Sequence, residues 1–425
     1  MLQHKRHESR FYSSAKAASN LTSTRNYPTM KFSTIAFSFA SVVQAVSIWN
    51  PSGPYYVGYT QHIFDHITPN DPTKPGTFML ITIYYPTLQI ANKTIPYLDP
   101  ISAANFESTI GLTTGVLSQL TTRLQLDAPT LPGTHPSFAN GTSPYPTLVF
   151  TPGAGVPASG YTAYLSELAS NGYAIIAIDH PGEAPYIPLP SSNSTNGTKG
   201  VYGYPNFHAY PPTIKEAFQV VDFRVSDIVA AVRDFFPTFV QQSGAPFNTT
   251  HLGLFGHSAG GAAAAAAMTA NPELFKIGSN LDGTYLQLAD EEGNVDPNKI
   301  PQDLKLPLLE IGNGGHNQGP VKGGEGDPRW IAFHGVQSAW LRDMQVNNTT
   351  HLDFSDIPLW IDLLDQRAVV NDTWVGPLDG VRVTGLVNAL LKQLFGFISG
   401  KGLEGVDEWA AEAPELDLLF KIDPR

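Results

Sequence analysis

Ser258 is the residue of this chain best placed for covalent chemistry. It is the centre of Gly256-His257-Ser258-Ala259-Gly260, with an apolar run at 252–255 before it and six alanines at 262–267 after it. Strand, sharp turn and helix form the context in which Gly-x-Ser-x-Gly becomes a nucleophile elbow. The serine must then sit on a strained turn. A side chain at Gly256 or Gly260 would collide with the neighbouring strand or helix. A serine hydroxyl is a weak nucleophile near neutral pH. It needs a base within hydrogen-bond reach and an acid to orient that base.

In elbow proteins the chain order is Ser, then Asp or Glu, then His, so both partners are sought after residue 258. Asp282 ends the apolar segment 277–281 and precedes Gly283, and the carboxyl end of a parallel strand is where sites form in open α/β sheets. Asp290 and Asp303 lie in polar loop sequence, and Glu310 lies inside a strand. Three histidines follow: His316 in a glycine-rich loop after a strand, His334 in a helix-like stretch over 330–344, and His351 in a loop before a helix. His316 and His351 both remain candidate bases. Acyl transfer also needs donors for a tetrahedral oxyanion. The Ala259 N–H comes with the elbow, and the loop Pro152-Gly153-Ala154-Gly155 offers a second, with Ala154 the favoured donor. His257 reads as structural.

The elements that must hold these residues alternate. Strands are expected at 77–85, 146–151, 173–179, 252–255, 277–281 and 306–311, with helices at 161–170, 214–236 and from Ala259 on. The helix at 161–170 is closed by Asn171-Gly172. The strand at 77–85 stops at Pro86. Alternation predicts an α/β fold with a mostly parallel central sheet flanked by helices. Two excursions interrupt it. Residues 87–145 hold weak helical patterns and Pro-rich loops, and 181–213 is rich in Pro, Ser, Asn, Gly and tyrosine. Such insertions suit lids or binding loops. We expect a single catalytic domain over 48–425.

Composition narrows the classes of function. The formal net charge is −12, with no basic block beyond the N-terminus, so nucleic acid is not an expected partner. The chain has no cysteine, which excludes thiol nucleophiles, disulfides and cysteine metal sites. No cofactor is implied. Met30-Lys31 followed by an apolar, serine-rich stretch ending in small residues reads as a secretory leader over 30–47, with 1–29 an unstructured extension or an over-extended gene model. Sequons at Asn92, Asn140, Asn193, Asn196, Asn248, Asn347, Asn348 and Asn371 suit a secreted, extracellular glycoprotein.

Taken together, Gly-His-Ser-Ala-Gly-Gly261, Ser-Asn-Leu-Asp-Gly283 and His351-Leu-Asp-Phe-Ser-Asp356 resemble the secreted platelet-activating factor acetylhydrolase family, type II, within the α/β-hydrolases. The strand-loop at 150–155 and Ile178-Asp-His-Pro-Gly182 extend the resemblance over most of 75–400. It implies Asp282 as the acid, His351 rather than His316 as the base, and Ala154 and Ala259 as oxyanion donors. It also implies hydrolysis of short or oxidised sn-2 acyl groups of phospholipids without calcium, so a small-molecule or lipid ester as partner and contact with a lipid surface. Pro152 stands where animal members usually carry histidine, and the pattern is nearer to fungal-type secreted members. A cutinase, polyester hydrolase or general carboxylesterase is the alternative on this scaffold. Those enzymes usually carry the acid one strand later, near 311–315, where no Asp stands. A non-catalytic surface protein of this fold would have lost a triad member.

Overall fold

The computed structural model describes residues 45–424 other than 49, 72, 74–75, 137–144, 191–199, 208, 210–212, 291, 315–325 and 371–373. The described residues belong to one unit, Gln44–Arg425. The leader expected at 30–47 lies outside them except for its last residues. Val46 and Ser47 pair in parallel with Leu120 and Thr121, so a leader ending at 47 would remove part of a small side sheet. His316, Tyr210 and the sequons at Asn140, Asn193, Asn196 and Asn371 are likewise outside the described residues.

The main sheet contains β1 (Tyr56–Asp65), β2 (Phe78–Thr87), β3 (Gln125–Leu126), β4 (Tyr145–Thr151), β5 (Ala174–Asp179), β6 (Phe247–His257), β7 (Phe275–Leu281), β8 (Leu308–Gly312), β9 (Leu341–Val346) and β10 (Leu416–Ile422). Its order is β10-β9-β8-β7-β6-β4-β5-β2-β1-β3. From β5 to β9 every neighbouring pair is parallel. β2 is antiparallel to β5 and to β1, and β10 is antiparallel to β9.

Three expectations are corrected. β2 runs through Pro86 to Thr87. Its last pair with β5 is Tyr84–Ile175, so Pro86 has a strand on one side only and its missing N–H is tolerated. The helix expected over 330–344 is α6 (Pro328–His334) followed by β9. Gly335 ends the helix, and the following apolar segment fills the slot between β8 and β10. The helix expected over 214–236 is α3 (Ile214–Ala230), a π-turn at Ala231–Phe235, and α4 (Phe236–Ser243).

Strand alternation divides the core. Leu148 and Phe150 of β4 face a cluster with α2 (Thr162–Ser170), α7 (Ile357–Leu363) and α8 (Gly380–Phe395), whereas Val149 faces α3, α5 (Ala259–Ala270) and α6. Six of the eight alanines of α5 are buried, which lets that helix lie close over the strands. The chain leaves β4 for β5 on one side and returns to β6 on the other. The carboxyl ends of β4 and β6 are therefore the switch point, where ligands bind in open α/β sheets.

Candidate active site

Ser258 stands between β6 and α5 with φ +56° and ψ −126°, a conformation that costs an L-residue of order 1–3 kcal/mol. Neighbours without side chains permit it. A Cβ at Gly256 would come within 2.5 Å of the Gly260 backbone, and one at Gly260 within 2.1 Å of the Thr151 carbonyl oxygen. The Ser258 N–H donates to the Leu281 carbonyl at 2.9 Å, tying the turn to the end of β7.

Asp282 follows β7 and is itself left-handed, with φ +54°. Its N–H donates to the Ile311 carbonyl at 2.7 Å. Its carboxylate is fully buried and accepts from the His351 ring Nδ1 at 2.6 Å. His351 opens a short 3-10 turn, His351–Phe354, closed by a capping box between Thr350 and Asp353. Its Nε2 lies 2.8 Å from Ser258 Oγ. An ionised Asp282 can only accept, so Nδ1 carries the proton and Nε2 is left to accept from the serine hydroxyl. The His351 side chain is 40% exposed, so a reactant can reach the buried acid's partner.

The structure thus brings Ser258, His351 and Asp282 into one hydrogen-bonded sequence. The other candidates among the described residues do not join it. His334 pairs with Glu310 in the core and stacks on Phe420 at 4.6 Å between ring centres. Asp290 accepts backbone bonds within its own turn, and Asp303 accepts from Ser338. Ala154 and Ala259 pack in one apolar cluster with Val220, Phe223 and Tyr204. The Ala154 N–H has no acceptor among the described residues. That of Ala259, at the first position of α5, has no intrahelical acceptor either.

The sequence does not point to Asn313, and it marks His257 only as structural. Asn313, just past β8, donates to Asp282 twice, from its backbone N–H at 2.6 Å and from Nδ2 at 2.7 Å. Its position after an apolar strand was the available signal, but an asparagine among glycines reads as a turn. His257 does more than pack. It sits 4.7 Å from the His351 ring, Nδ1 lies 2.7 Å from Tyr161 Oη, and Nε2 lies 2.9 Å from the His351 carbonyl oxygen.

A parallel-centred sheet with a serine elbow at its switch point defines a hydrolase scaffold, and the alpha/beta hydrolase family model matches residues 148–414; the chain belongs to that family. Within it, the model of platelet-activating factor acetylhydrolase, isoform II, matches residues 40–194. A curated relative from Arthroderma benhamiae, a probable 1-alkyl-2-acetylglycerophosphocholine esterase, is 25% identical over 274 residues. The alignment covers 63% of each protein, so the chain spans less than two thirds of that relative's length. Among solved structures, a ferulic acid esterase from Streptomyces cinnamoneus superposes with a TM-score of 0.67 at 22% identity. That match covers 88% of this chain and 100% of the other, and it shows the shared fold.

Proposed function

We propose that this protein is a carboxylic ester hydrolase that works through an acyl-enzyme on Ser258. The observation that carries the reading is the Ser258–His351–Asp282 sequence, at 2.8 and 2.6 Å, on a strained elbow. Ser258 Oγ attacks the ester carbonyl as its proton passes to His351 Nε2, and the Ala154 and Ala259 N–H groups receive the oxyanion. Collapse expels the alcohol, which leaves with that proton. Water then attacks the acyl-serine, giving its proton to His351, and the serine leaves with it as the acid is released. Asp282 holds the ring and stabilises its charged form.

The substrate class we infer is a short or oxidised acyl ester, with sn-2 acetyl groups of phospholipids like platelet-activating factor foremost. The acetylhydrolase family match and the Arthroderma benhamiae relative support it. So does the wall around the Ala154 and Ala259 donors. Tyr204 comes from the 181–213 excursion, and Phe207 of the same excursion packs on Phe106 of α1 (Pro100–Ile110) and on Trp374 beyond His351, at 5.4 and 5.7 Å. We further propose secretion, with the leader cut after Ala45 so that Val46 keeps its strand partner. We place glycans at exposed sequons such as Asn92 and Asn348, with the protein meeting its substrate at a lipid surface.

A fluorophosphonate probe should label the wild-type protein, and Ser258→Ala should abolish labelling and ester hydrolysis together. His351→Ala should lower kcat by roughly 10⁴-fold or more, with His316→Ala far milder. Acetyl and butyryl p-nitrophenyl esters should exceed palmitoyl in kcat/KM. The reverse order would sink the acetylhydrolase reading in favour of a lipase-like one and leave the serine chemistry standing.

A further inference from the structure

The loop that offers the Ala154 N–H is gripped by a buried ion pair that the chemistry above does not use. Arg224 of α3 and Glu183, just past β5, have side chains 1% and 2% exposed. The guanidinium meets the Glu183 carboxylate through both Nε, at 3.2 Å, and Nη2. Among the described residues it also reaches two successive backbone carbonyls. Nη1 donates to the Pro152 oxygen, and Nη2 to the Gly153 oxygen at 3.3 Å. Burying such a pair costs solvation that its mutual attraction barely offsets, so stability alone is a poor reason for it.

Peptide planarity supplies a better one. In a trans peptide the C=O of one residue and the N–H of the next point in opposite directions. With the Pro152 carbonyl held on the arginine, the Gly153 N–H faces the other way, and there it donates to Tyr161 Oη at 3.0 Å. That peptide is clamped on both sides. With the Gly153 carbonyl also drawn to Arg224, and to the Val156 N–H at 3.2 Å, the Ala154 N–H must face away from the guanidinium. A Cβ on Gly153 would stand 3.4 Å from Ser258 Cβ, so this loop lies directly beside the serine. Having accepted from Gly153, the Tyr161 hydroxyl is left to donate its own proton to His257 Nδ1, and His257 then gives Nε2–H to the His351 carbonyl.

Resting on the esterase reading above, we propose that Arg224, braced by Glu183, and Tyr161 are positioning residues that turn the 152–154 peptides so that the Ala154 N–H points at the developing oxyanion. The planar fork of arginine is required, because a lysine ammonium cannot hold a carboxylate and two carbonyls at fixed angles. The two residues grip opposite edges of the same peptide and act on the transition state, where the oxyanion exists, more than on the bound ester.

The test uses the full chain, p-nitrophenyl acetate as substrate, and a methyl trifluoromethyl ketone that adds to serine as a tetrahedral adduct. Arg224→Lys and Tyr161→Phe are compared with wild type, and Tyr161→Phe keeps its ring against Phe150 while losing only the hydroxyl. Losing one aimed donor costs about 10²–10³-fold in kcat. The expected result is therefore a fall in kcat of up to that size for Arg224→Lys and a smaller fall for Tyr161→Phe. KM should stay within about threefold, and the ketone Ki should rise in step with the loss in kcat/KM. Unchanged ketone affinity, or a loss confined to KM or to thermal stability, would overturn the proposal. Should Arg224→Lys fail to fold, Tyr161→Phe decides by the same ratio. Absence of fluorophosphonate labelling in the wild type would instead defeat the esterase reading itself.

Discussion

At the scale of single residues, the site depends on how one buried carboxylate is supplied with donors. Asp282 has no contact with solvent, and it is served by the His351 ring and by two N–H groups of Asn313. Asparagine is the right chemical type there, since its amide can donate where aspartate could only accept. Asn313→Asp would place a second carboxylate against Asp282, and two like charges at that range cannot both ionise cheaply. We expect the acidic limb of the kcat/KM profile to move to higher pH in this variant, with kcat falling. Asn313→Ala should lose about 10–100-fold in kcat without moving the limb, the cost of one hydrogen bond to a charged group. A pH–rate profile of the three proteins separates these outcomes.

At the scale of elements, the His351 turn is pegged to the start of α2 by Asp356. Its carboxylate accepts from the Tyr97 hydroxyl and, at 3.0 Å, from the Ala163 N–H. Its backbone N–H donates to the Gly160 carbonyl at 2.8 Å. Burial pushes the Asp356 carboxyl up to about 7 despite these donors. The folded chain therefore holds a proton that the unfolded chain, with an ordinary aspartate near 4, releases across the interval from about 4 to 7. This group's contribution to stability is greatest below pH 4, declines as pH rises through that interval, and is level above 7. Asp356→Asn keeps the shape without the titration, so its Tm should decline less than wild type between pH 4.5 and 8. Differential scanning calorimetry across that range checks it. Elements also mark where sequence was readable. The core strands β4 to β8 announced themselves as apolar runs before glycine or aspartate, and the Ser258, Asp282 and His351 types stood at strand ends or in loops. β9 was hidden because Arg342 and Asp343 are buried within it, which breaks any recognisable alternation. Arg224 was invisible for a related reason. On a helix expected over 214–236, an arginine looks like solvent-facing surface, yet it is among the largest fully buried side chains described.

At the scale of the whole molecule, pieces far apart in sequence converge on one end of the sheet. Phe106 from the first excursion, Phe207 from the second and Trp374 from the segment after His351 touch one another in series over the carboxyl ends of the strands. The two interruptions in the β/α rhythm are therefore parts of one wall, which no single segment of sequence announces. Two of the non-glycine residues held at positive φ stand at the same end. Ser258 and Asp282 both hold positive φ, and glycine would occupy either backbone more cheaply. Ser258→Gly should thus report opposite changes in two measurements. Activity should vanish, whereas Tm for Ser258→Gly should hold or rise, and Asp282→Gly should gain backbone ease while sacrificing its hydrogen bonds. The consequence reaches beyond the single protein to its lineage. In a population propagated only for resistance to heat, with no demand for turnover, inactive descendants should accept glycine at position 258. The serine that makes the site possible is then a position at which relaxed selection would leave a trace.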